Sequence, residues 1–246
     1  MVSYISLQET DSTNRYLAAL CEEQQVAELT TVTAEFQTAG KGQRGNSWES
    51  APGANLLFST VLYPRFLAAR QQFVLSQLVA LSIKEALDAY LSDVSIKWPN
   101  DIYCGERKIC GILIENDLQG SQIGRCIIGV GLNVNQEQFL SDAPNPVSLR
   151  QLTGCEHDRR TLLADILRRL QQGYCLLAHD TPTAAASLSA RYAAALFRRE
   201  GYHRYTDASG PFLARVVRVE ADGRFLLQDD SGRLRSYLFK EVQYLL

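Results

Sequence analysis

The sequence predicts an α+β fold followed by a small all-β unit. Between residues 4 and 199, short apolar strands are interspersed with segments whose apolar side chains recur at helical spacing. The composition changes after Gly201, where residues 204–246 hold three or four short strands separated by the turn sequences ADG and DDSG. We therefore expect two domains, 1–201 and 202–246, with the second domain forming a small β-barrel.

The elements of the first domain follow in order along the chain. A helix capped by Asp11 or Ser12 presents Tyr16, Leu17 and Leu20, and a longer amphipathic helix covers 70–91. Two further helices are expected at 159–178 and 183–199, and 135–158 is expected to be irregular because it is rich in Pro, Asn and Gly. Strands are expected at 4–7, 30–36, 55–63, 94–97, 108–116 and 122–132, the last two joined as a hairpin by DLQGS.

Length, composition and charge exclude several classes of protein. The 246 residues are 46% hydrophobic and 21% charged, which is typical of a globular chain with one good core and a small second domain. A net charge of −2 argues against a dedicated nucleic-acid binder. No apolar run approaches the length of a membrane span, and no leader peptide is expected. The six cysteines are scattered, so we expect them to be reduced in a cytoplasmic protein.

The glycine-rich segment 37–48, QTAGKGQRGNSW, is the strongest local signal. Glycine N–H groups can surround an anion, and Lys41 and Arg44 add two cations without any acidic residue nearby in the segment. We expect this loop to be mobile until an anionic ligand orders it. The spacing also matches a dinucleotide-binding fingerprint, but loop-forming residues follow where that motif requires a helix. A plain flexible hairpin turn stays open from this segment alone.

Three further segments combine polar residues with breaks in strands. Pro99 interrupts K-W-P-N-D at 97–101, which presents Asn100 and Asp101 beside a lysine. Lys108 begins an apolar strand in which Gly111 leaves room near the backbone, and two glycines precede Asn133. Each segment also has an ordinary structural explanation: a strand-to-turn exit, a lysine reaching solvent, or, for D-S-T-N at 11–14, a helix cap.

Taken in order, these motifs resemble the biotin protein ligases. They are D-S-T-N, Q-x-x-G-K-G-Q-R-G-x-x-W, G-A-N-L, K-W-P-N-D, R-K-x-x-G-I-L-x-E and G-x-G-x-N-x-N, and they run from residue 11 to residue 135. The resemblance implies a mixed β-sheet backed by helices, like class II aminoacyl-tRNA synthetases, and a C-terminal SH3-like barrel. It also implies ATP-dependent formation of biotinyl-5′-AMP, followed by transfer of biotin to a lysine of a biotin carboxyl carrier domain.

The resemblance also implies roles for individual residues. Lys108, Arg44 and Asp101 would be catalytic, with Lys108 bridging the biotin carboxylate and the α-phosphate. The ATP contacts would be Arg44, Trp48, Asn100 and Asn133, with Trp48 as a wall on the adenine side. The biotin contacts would be Ser12, Thr13, Asn14, Gln37, Lys41, Gly42, Gln43, Lys108 and Gly111. Mg²⁺ would arrive with ATP, and no metal site is expected from the protein alone.

The sequence departs from the family pattern in its loop. Gln43, Asn46 and Ser47 stand where many members carry arginine or lysine, so the loop is less basic and its hold on the adenylate is in doubt. The first motif begins at Asp11, so no N-terminal DNA-binding domain is expected. Neither nucleic-acid nor membrane partners are expected, and the oligomeric state is open, with a homodimer as one alternative. The competing functions are a lipoate or octanoate ligase or transferase on the same core, and a non-catalytic module that binds a carrier domain or nucleic acid.

Overall fold

A seven-stranded mixed sheet forms the larger part of the fold. The computed structural model describes residues 3–42, 47–141 and 144–245. The sheet has the spatial order β1-β2-β3-β7-β6-β5-β4, in which β1 and β2 are parallel and every other neighbouring pair is antiparallel. Its strands are β1 (Tyr4–Thr10), β2 (Thr31–Gln37), β3 (Leu56–Leu62), β4 (Val94–Lys97), β5 (Asp101–Cys104), β6 (Arg107–Gln119) and β7 (Gln122–Leu132).

Helices cover both faces of this sheet. The helix α1 (Thr13–Glu23) packs through Leu17 against one face, and α2 (Phe73–Leu87) belongs to the main core on the other face. Side chains of β3 alternate between the two faces of the sheet. Phe58 and Leu62 belong to the main core, whereas Val61 belongs to a smaller apolar cluster with Leu17. The remaining helices are α3 (Leu149–Thr153), α4 (Arg159–His179) and α5 (Thr181–Ala194), and a 3₁₀ turn spans Ala69–Gln71.

The predicted all-β unit is a five-stranded antiparallel sheet. Its order is β11-β10-β9-β8-β12, and Gly223 and Gly232 take positive φ in its tight turns, as the ADG and DDSG signals predict. Within the described residues, β11 and β12 do not pair with each other, so the expected barrel is not closed. The strands are β8 (His203–Asp207), β9 (Gly210–Val219), β10 (Phe225–Asp229), β11 (Leu234–Tyr237) and β12 (Gln243–Tyr244).

The two sheets share a continuous apolar core. The Trp98 ring stacks on Phe225 of β10 with centroids 4.9 Å apart, and its Nε1 donates to the Gly223 carbonyl oxygen at 3.0 Å. The peptide bond between Trp98 and Pro99 is cis. The domain boundary at 201/202 stays a prediction, but contacts of this kind place the second sheet directly beside the segment 97–101.

The structure corrects three details of the predicted elements. The segment 135–158 was expected to be irregular but contains α3, whose first turn is closed by the Ser148 side chain accepting from Gln151 N–H. The last helix ends at Ala194 rather than 199, because 195–197 instead pair with Ile96 alongside β4. Two short strands, β5 and β8, were missed, since each has too few alternating apolar residues to be distinguished from a turn.

Candidate active site

A cavity of about 1350 Å³ lies on the α1 face of the large sheet and extends to the C-terminal strands. It gathers segments that are far apart in sequence and holds every predicted site residue that the structure describes. Gln43 and Arg44 lie outside the described residues, as do Gly45 and Asn46 of the same loop. The predicted residues that line the cavity are Ser12, Thr13, Asn14, Gln37, Lys41, Gly42, Trp48, Asn100, Asp101, Lys108, Gly111 and Asn133.

One end of the cavity is a buried polar pocket at the start of α1. Gln37 Oε1 accepts from Thr13 N–H at 2.8 Å and from the Thr13 hydroxyl at 3.0 Å. Ser12 occupies the N-cap position, but its hydroxyl makes no capping hydrogen bond. This hydroxyl is therefore left for another partner, and the Gln37 amide nitrogen lies beside Gly40 at the cavity wall. The D-S-T-N segment therefore begins α1 and also forms part of the polar pocket.

Ser59 supports this pocket from below. Its hydroxyl lies 2.7 Å from Thr13 Oγ1 and 2.5 Å from Asn14 Oδ1, and the Asn14 amide in turn donates to Glu115 at 2.6 Å. Asn14 fits there because Gly129 lacks a side chain, since a Cβ at Gly129 would lie 2.2 Å from Asn14 Oδ1. Sequence reasoning missed Ser59, because it stands inside the apolar run LLFSTVL and resembles core.

The middle of the cavity floor consists of glycines covered by the Trp48 indole. A Cβ at Gly131 would lie 2.4 Å from the ring, and one at Gly111 would lie 2.9 Å from it. The room that Gly111 leaves near its backbone, expected to admit a ligand, is therefore occupied by Trp48. The Trp48 Nε1 atom is buried and has no hydrogen-bond partner among the described residues. The indole thus forms a wall of the cavity, and its N–H group can donate a hydrogen bond to a ligand.

Beyond Trp48, the cavity contains an ion pair. Lys108 Nζ lies 2.8 Å from Asp101 Oδ1 and 5.7 Å from the centre of the Trp48 ring. A register shift between β5 and β6 sets Lys108 opposite Tyr103 and brings it close to Asp101. The Lys108 backbone is fixed on its other side by Asn145 and Val147, which lie in the segment expected to be irregular. The Lys108 ammonium group therefore projects from a fixed backbone, faces the cavity and is paired with one carboxylate.

The two asparagines predicted to contact ATP differ in their freedom to bind a ligand. The Asn100 amide donates to the Ile112 carbonyl oxygen, so it already serves to hold the 97–101 turn against β6. Asn133 donates to the Val147 carbonyl oxygen at 3.1 Å, and its Oδ1 is buried without a partner in the described part of the chain. Because a buried acceptor without a donor is costly, Asn133 Oδ1 is a natural acceptor for a ligand N–H group.

The base of the glycine loop is a short hairpin. Lys41 and Ser47 form an antiparallel bridge, and Trp48 N–H donates to the Gly40 carbonyl oxygen at 3.0 Å. No helix occurs in the described residues 47–55 that follow, which rules out the dinucleotide-binding interpretation, as predicted. The hairpin places Trp48 over the glycine floor.

Comparison with known proteins identifies the family. The biotin/lipoate A/B protein ligase family matches residues 6–133, which is more than half of the chain. The chain belongs to this family. A biotin–[acetyl-CoA-carboxylase] ligase from Paracoccus denitrificans is 32% identical over 237 residues, covering 93% of this chain and 91% of that protein.

Structural comparison points to the same branch of the family. The biotin protein ligase from Aquifex aeolicus in complex with biotin and ATP superposes with a TM-score of 0.81 at 26% identity, covering 100% of both chains. The bifunctional ligase/repressor BirA of Escherichia coli is 33% identical over 164 residues, but this chain spans only 50% of its length. The mixed sheet backed by helices, expected from the motifs, is confirmed.

Proposed function

We propose that this family member is an ATP-dependent biotin protein ligase. It forms biotinyl-5′-AMP and transfers biotin to a lysine of a biotin carboxyl carrier domain. The observation that carries the proposal is the layout of one cavity, with the polar pocket of Ser12, Thr13 and Gln37 at one end and the Lys108 cation further along. Biotin has the matching layout, since a polar ureido head and a carboxylate stand at its two ends.

The residues of the cavity account for the chemistry of adenylation. The reaction brings two anions together, because a biotin carboxylate oxygen forms a bond to the α-phosphorus as the bond to the β-phosphate oxygen breaks. The Lys108 cation reduces the repulsion between these anions. Trp48 covers the floor beside Lys108 and restricts the access of water to the mixed anhydride. In the second step, a carrier lysine attacks the acyl carbon and AMP leaves.

We propose that Mg²⁺ binds together with ATP. Within the described ranges, no group of three or more His, Cys, Asp and Glu side chains is placed to hold a metal ion. Two carboxylates, Glu49 and Asp101, line the cavity. Because Glu49 already accepts from the Leu140 and Ser141 N–H groups, Asp101 is the freer of the two, which fits Mg²⁺ bound mainly by phosphate oxygens and water. The ion would supply charge neutralisation of the phosphates when bound.

The cellular location, the partners and the assembly of the protein are also proposals. A reducing, cytoplasmic location is supported by the six cysteines, all free thiols. No described helix has the length and apolarity needed to cross a membrane. We expect no sequence-specific DNA binding at a net charge of −2, and a homodimer is one alternative for the assembly.

An ATP–pyrophosphate exchange assay separates the candidate functions. A biotin ligase exchanges labelled pyrophosphate into ATP only when biotin is present, and then labels an apo-carrier domain. A lipoate or octanoate ligase would respond to those acids instead, although the named relatives favour biotin. A non-catalytic binding module would give no exchange with any acid, and that result would overturn the proposal.

A further inference from the structure

Lys97 is one of four lysines that line the cavity, with Lys41, Lys108 and Lys240, and the proposed mechanism gives it no role. It stands at the end of β4, opposite Asp101 in the β4–β5 register, on the side of the cavity formed with the C-terminal sheet. Its ammonium group donates to the Tyr103 hydroxyl at 2.8 Å. It also lies 4.6 Å from the centre of the Tyr103 ring and 5.1 Å from that of Tyr244 on β12.

The charge of Lys97 is poorly compensated. In the described part of the chain, no carboxylate lies within ion-pair distance of its nitrogen, because Asp101 pairs with Lys108 instead. Asp101 is therefore the nearby carboxylate for both Lys97 and Lys108, and it pairs with Lys108. The described contacts of this half-buried ammonium group are with Tyr103 and Tyr244, so it gains more from an anionic ligand than an ordinary surface lysine does.

The position of Lys97 across the sheet indicates which anion it would hold. The polar pocket lies near β2 and β3, Lys108 is on β6, and Lys97 is on β4, two strands further in the order β3-β7-β6-β5-β4. In phosphoryl transfer the attacking and leaving oxygens are roughly in line across the phosphorus. Because the carboxylate of biotin approaches from the side of the polar pocket, the leaving group departs toward β4 and β12.

We propose that Lys97, held by Tyr103 and Tyr244, binds the β- and γ-phosphates of ATP and the pyrophosphate that leaves. This inference rests on the proposed function, since it assigns the leaving-group side of the same cavity. The α-phosphorus–oxygen bond breaks, its electron pair stays on the pyrophosphate oxygen, and the ammonium group of Lys97 neutralises part of the added charge. The C-terminal sheet takes part because Lys240, Gln243 and Tyr244 line this end of the cavity.

The charge of Lys97 is also sensitive to pH. Burial lowers its pKa to about 8, and the nearby cations Lys108 and Arg198 act in the same direction, while Asp101 opposes them. The other ionisable groups around it are Tyr103 on β5, Tyr244 on β12 and Lys240 at the cavity wall. Lys97 is therefore charged at pH 7 and loses its charge as the pH rises through about 8, so affinity for pyrophosphate falls over that range.

The test uses Lys97→Met and Lys97→Arg in the full chain, with Lys84→Met as the control. Lys84 is on α2, pairs with Asp88 and does not line the cavity. Binding of pyrophosphate alone is measured by calorimetry at pH 7 and pH 9, and KM values come from biotin-dependent exchange. Because Lys97→Met loses a charged hydrogen-bonding group, we expect its Kd for pyrophosphate and its KM for ATP to rise by about 10-fold or more. The KM for biotin changes far less, and Lys84→Met behaves like the wild type.

The outcomes separate this inference from the proposed function. Wild-type pyrophosphate affinity in a folded Lys97→Met variant would overturn the role of Lys97 and leave the ligase assignment intact. A wild-type protein without biotin-dependent exchange would overturn the ligase assignment, whereas calorimetry still decides whether Lys97 binds pyrophosphate. If Lys97→Met does not fold, Lys97→Arg decides, since arginine stays charged at pH 9. Between pH 7 and pH 9, the affinity of Lys97→Arg for pyrophosphate should fall less than that of the wild type. An equal fall in both proteins would contradict the inference.

Discussion

The ammonium group of Lys108 lies 2.8 Å from the carboxylate of Asp101, although the two side chains are still 30% and 24% exposed to the cavity. In the proposed function, a substrate anion would take the place beside Lys108 that the Asp101 carboxylate occupies. Because partly exposed pairs of this kind contribute little to stability, Lys108 can exchange Asp101 for a ligand at low cost. Both groups are therefore available for chemistry rather than required for folding.

Replacement of Lys108 by alanine tests this conclusion. We expect Lys108→Ala to lower biotin-dependent ATP–pyrophosphate exchange by about 10²–10³, because a cation is lost where two anions meet. The unfolding transition should change little. Lys84→Ala, which removes a half-buried lysine paired with Asp88 on α2, serves as the control. Exchange close to the wild-type rate in folded Lys108→Ala would refute its catalytic role.

Ser59→Ala should weaken biotin binding, although Ser59 is not itself one of the predicted biotin contacts. Its hydroxyl supports Thr13 and Asn14, and its loss leaves buried polar atoms with fewer partners, at a cost of about 1–3 kcal/mol. We expect Kd for biotin, measured by calorimetry, to rise roughly 10-fold. The matched control is Ser82→Ala, a buried serine on α2 whose hydroxyl donates to the Leu78 carbonyl oxygen of its own helix. Equal biotin affinity in Ser59→Ala and the wild type would show that the pocket does not depend on this support.

Gly131→Ala should displace Trp48. The added methyl group would lie 2.4–2.8 Å from atoms of the indole, so the ring or the strand must move. Overpacking of this kind costs about 1–3 kcal/mol, and we expect KM for ATP to rise roughly 10-fold as the wall shifts. Gly124→Ala on the same strand is the control, because its nearest contact is 3.1 Å away and it does not line the cavity. An unchanged KM for ATP would mean that the position of Trp48 is unimportant.

Trp98→Phe probes the link between the two sheets. Phenylalanine can keep the stack on Phe225 but loses the hydrogen bond from Nε1 to the Gly223 carbonyl oxygen. We expect the free energy of unfolding in urea to fall by about 1 kcal/mol, with one cooperative transition. Two separate transitions would instead show that the sheets unfold independently, contrary to a shared core.

The C-terminal sheet should confer a defined sensitivity to acid. Hydrogen bonds from the Ser231 hydroxyl and then from Arg235 lower the pKa of Asp229 to about 2. Because this pKa lies below the unfolded value of about 3.9, the carboxylate stabilises the fold above roughly pH 4, and that contribution is lost as the pH falls toward 2. Asp229→Asn should therefore lose less unfolding free energy than the wild type between pH 5 and pH 2. The control is Asp222→Asn, at an exposed turn position. If the interaction were unimportant, Asp229→Asn would lose as much unfolding free energy as the wild type over this pH range.

Sequence reasoning succeeded where chemistry was concentrated in short motifs. Lys108 and Asp101 were predicted from local patterns and Gln37 from the family resemblance, and the structure brings all three to one cavity. The ion pair between Lys108 and Asp101 was not predicted, because it depends on a register shift between two strands. Ser59 was missed for a similar reason, since only the packing of α1 on β3 distinguishes it from core. Pairing across elements is long-range information that a single sequence does not display.

Two tryptophans, Trp48 and Trp98, give the protein a natural pair of optical probes. Trp98 is 4% exposed and fixed between the sheets by Phe225 and Gly223, so its emission should report on whether the two sheets are joined. Trp48 lies over Gly111 and Gly131, and its Nε1 has no partner among the described residues, so its emission should report on what fills the cavity. Occupancy of the cavity and integrity of the fold can thus be followed by intrinsic fluorescence, without attaching a dye.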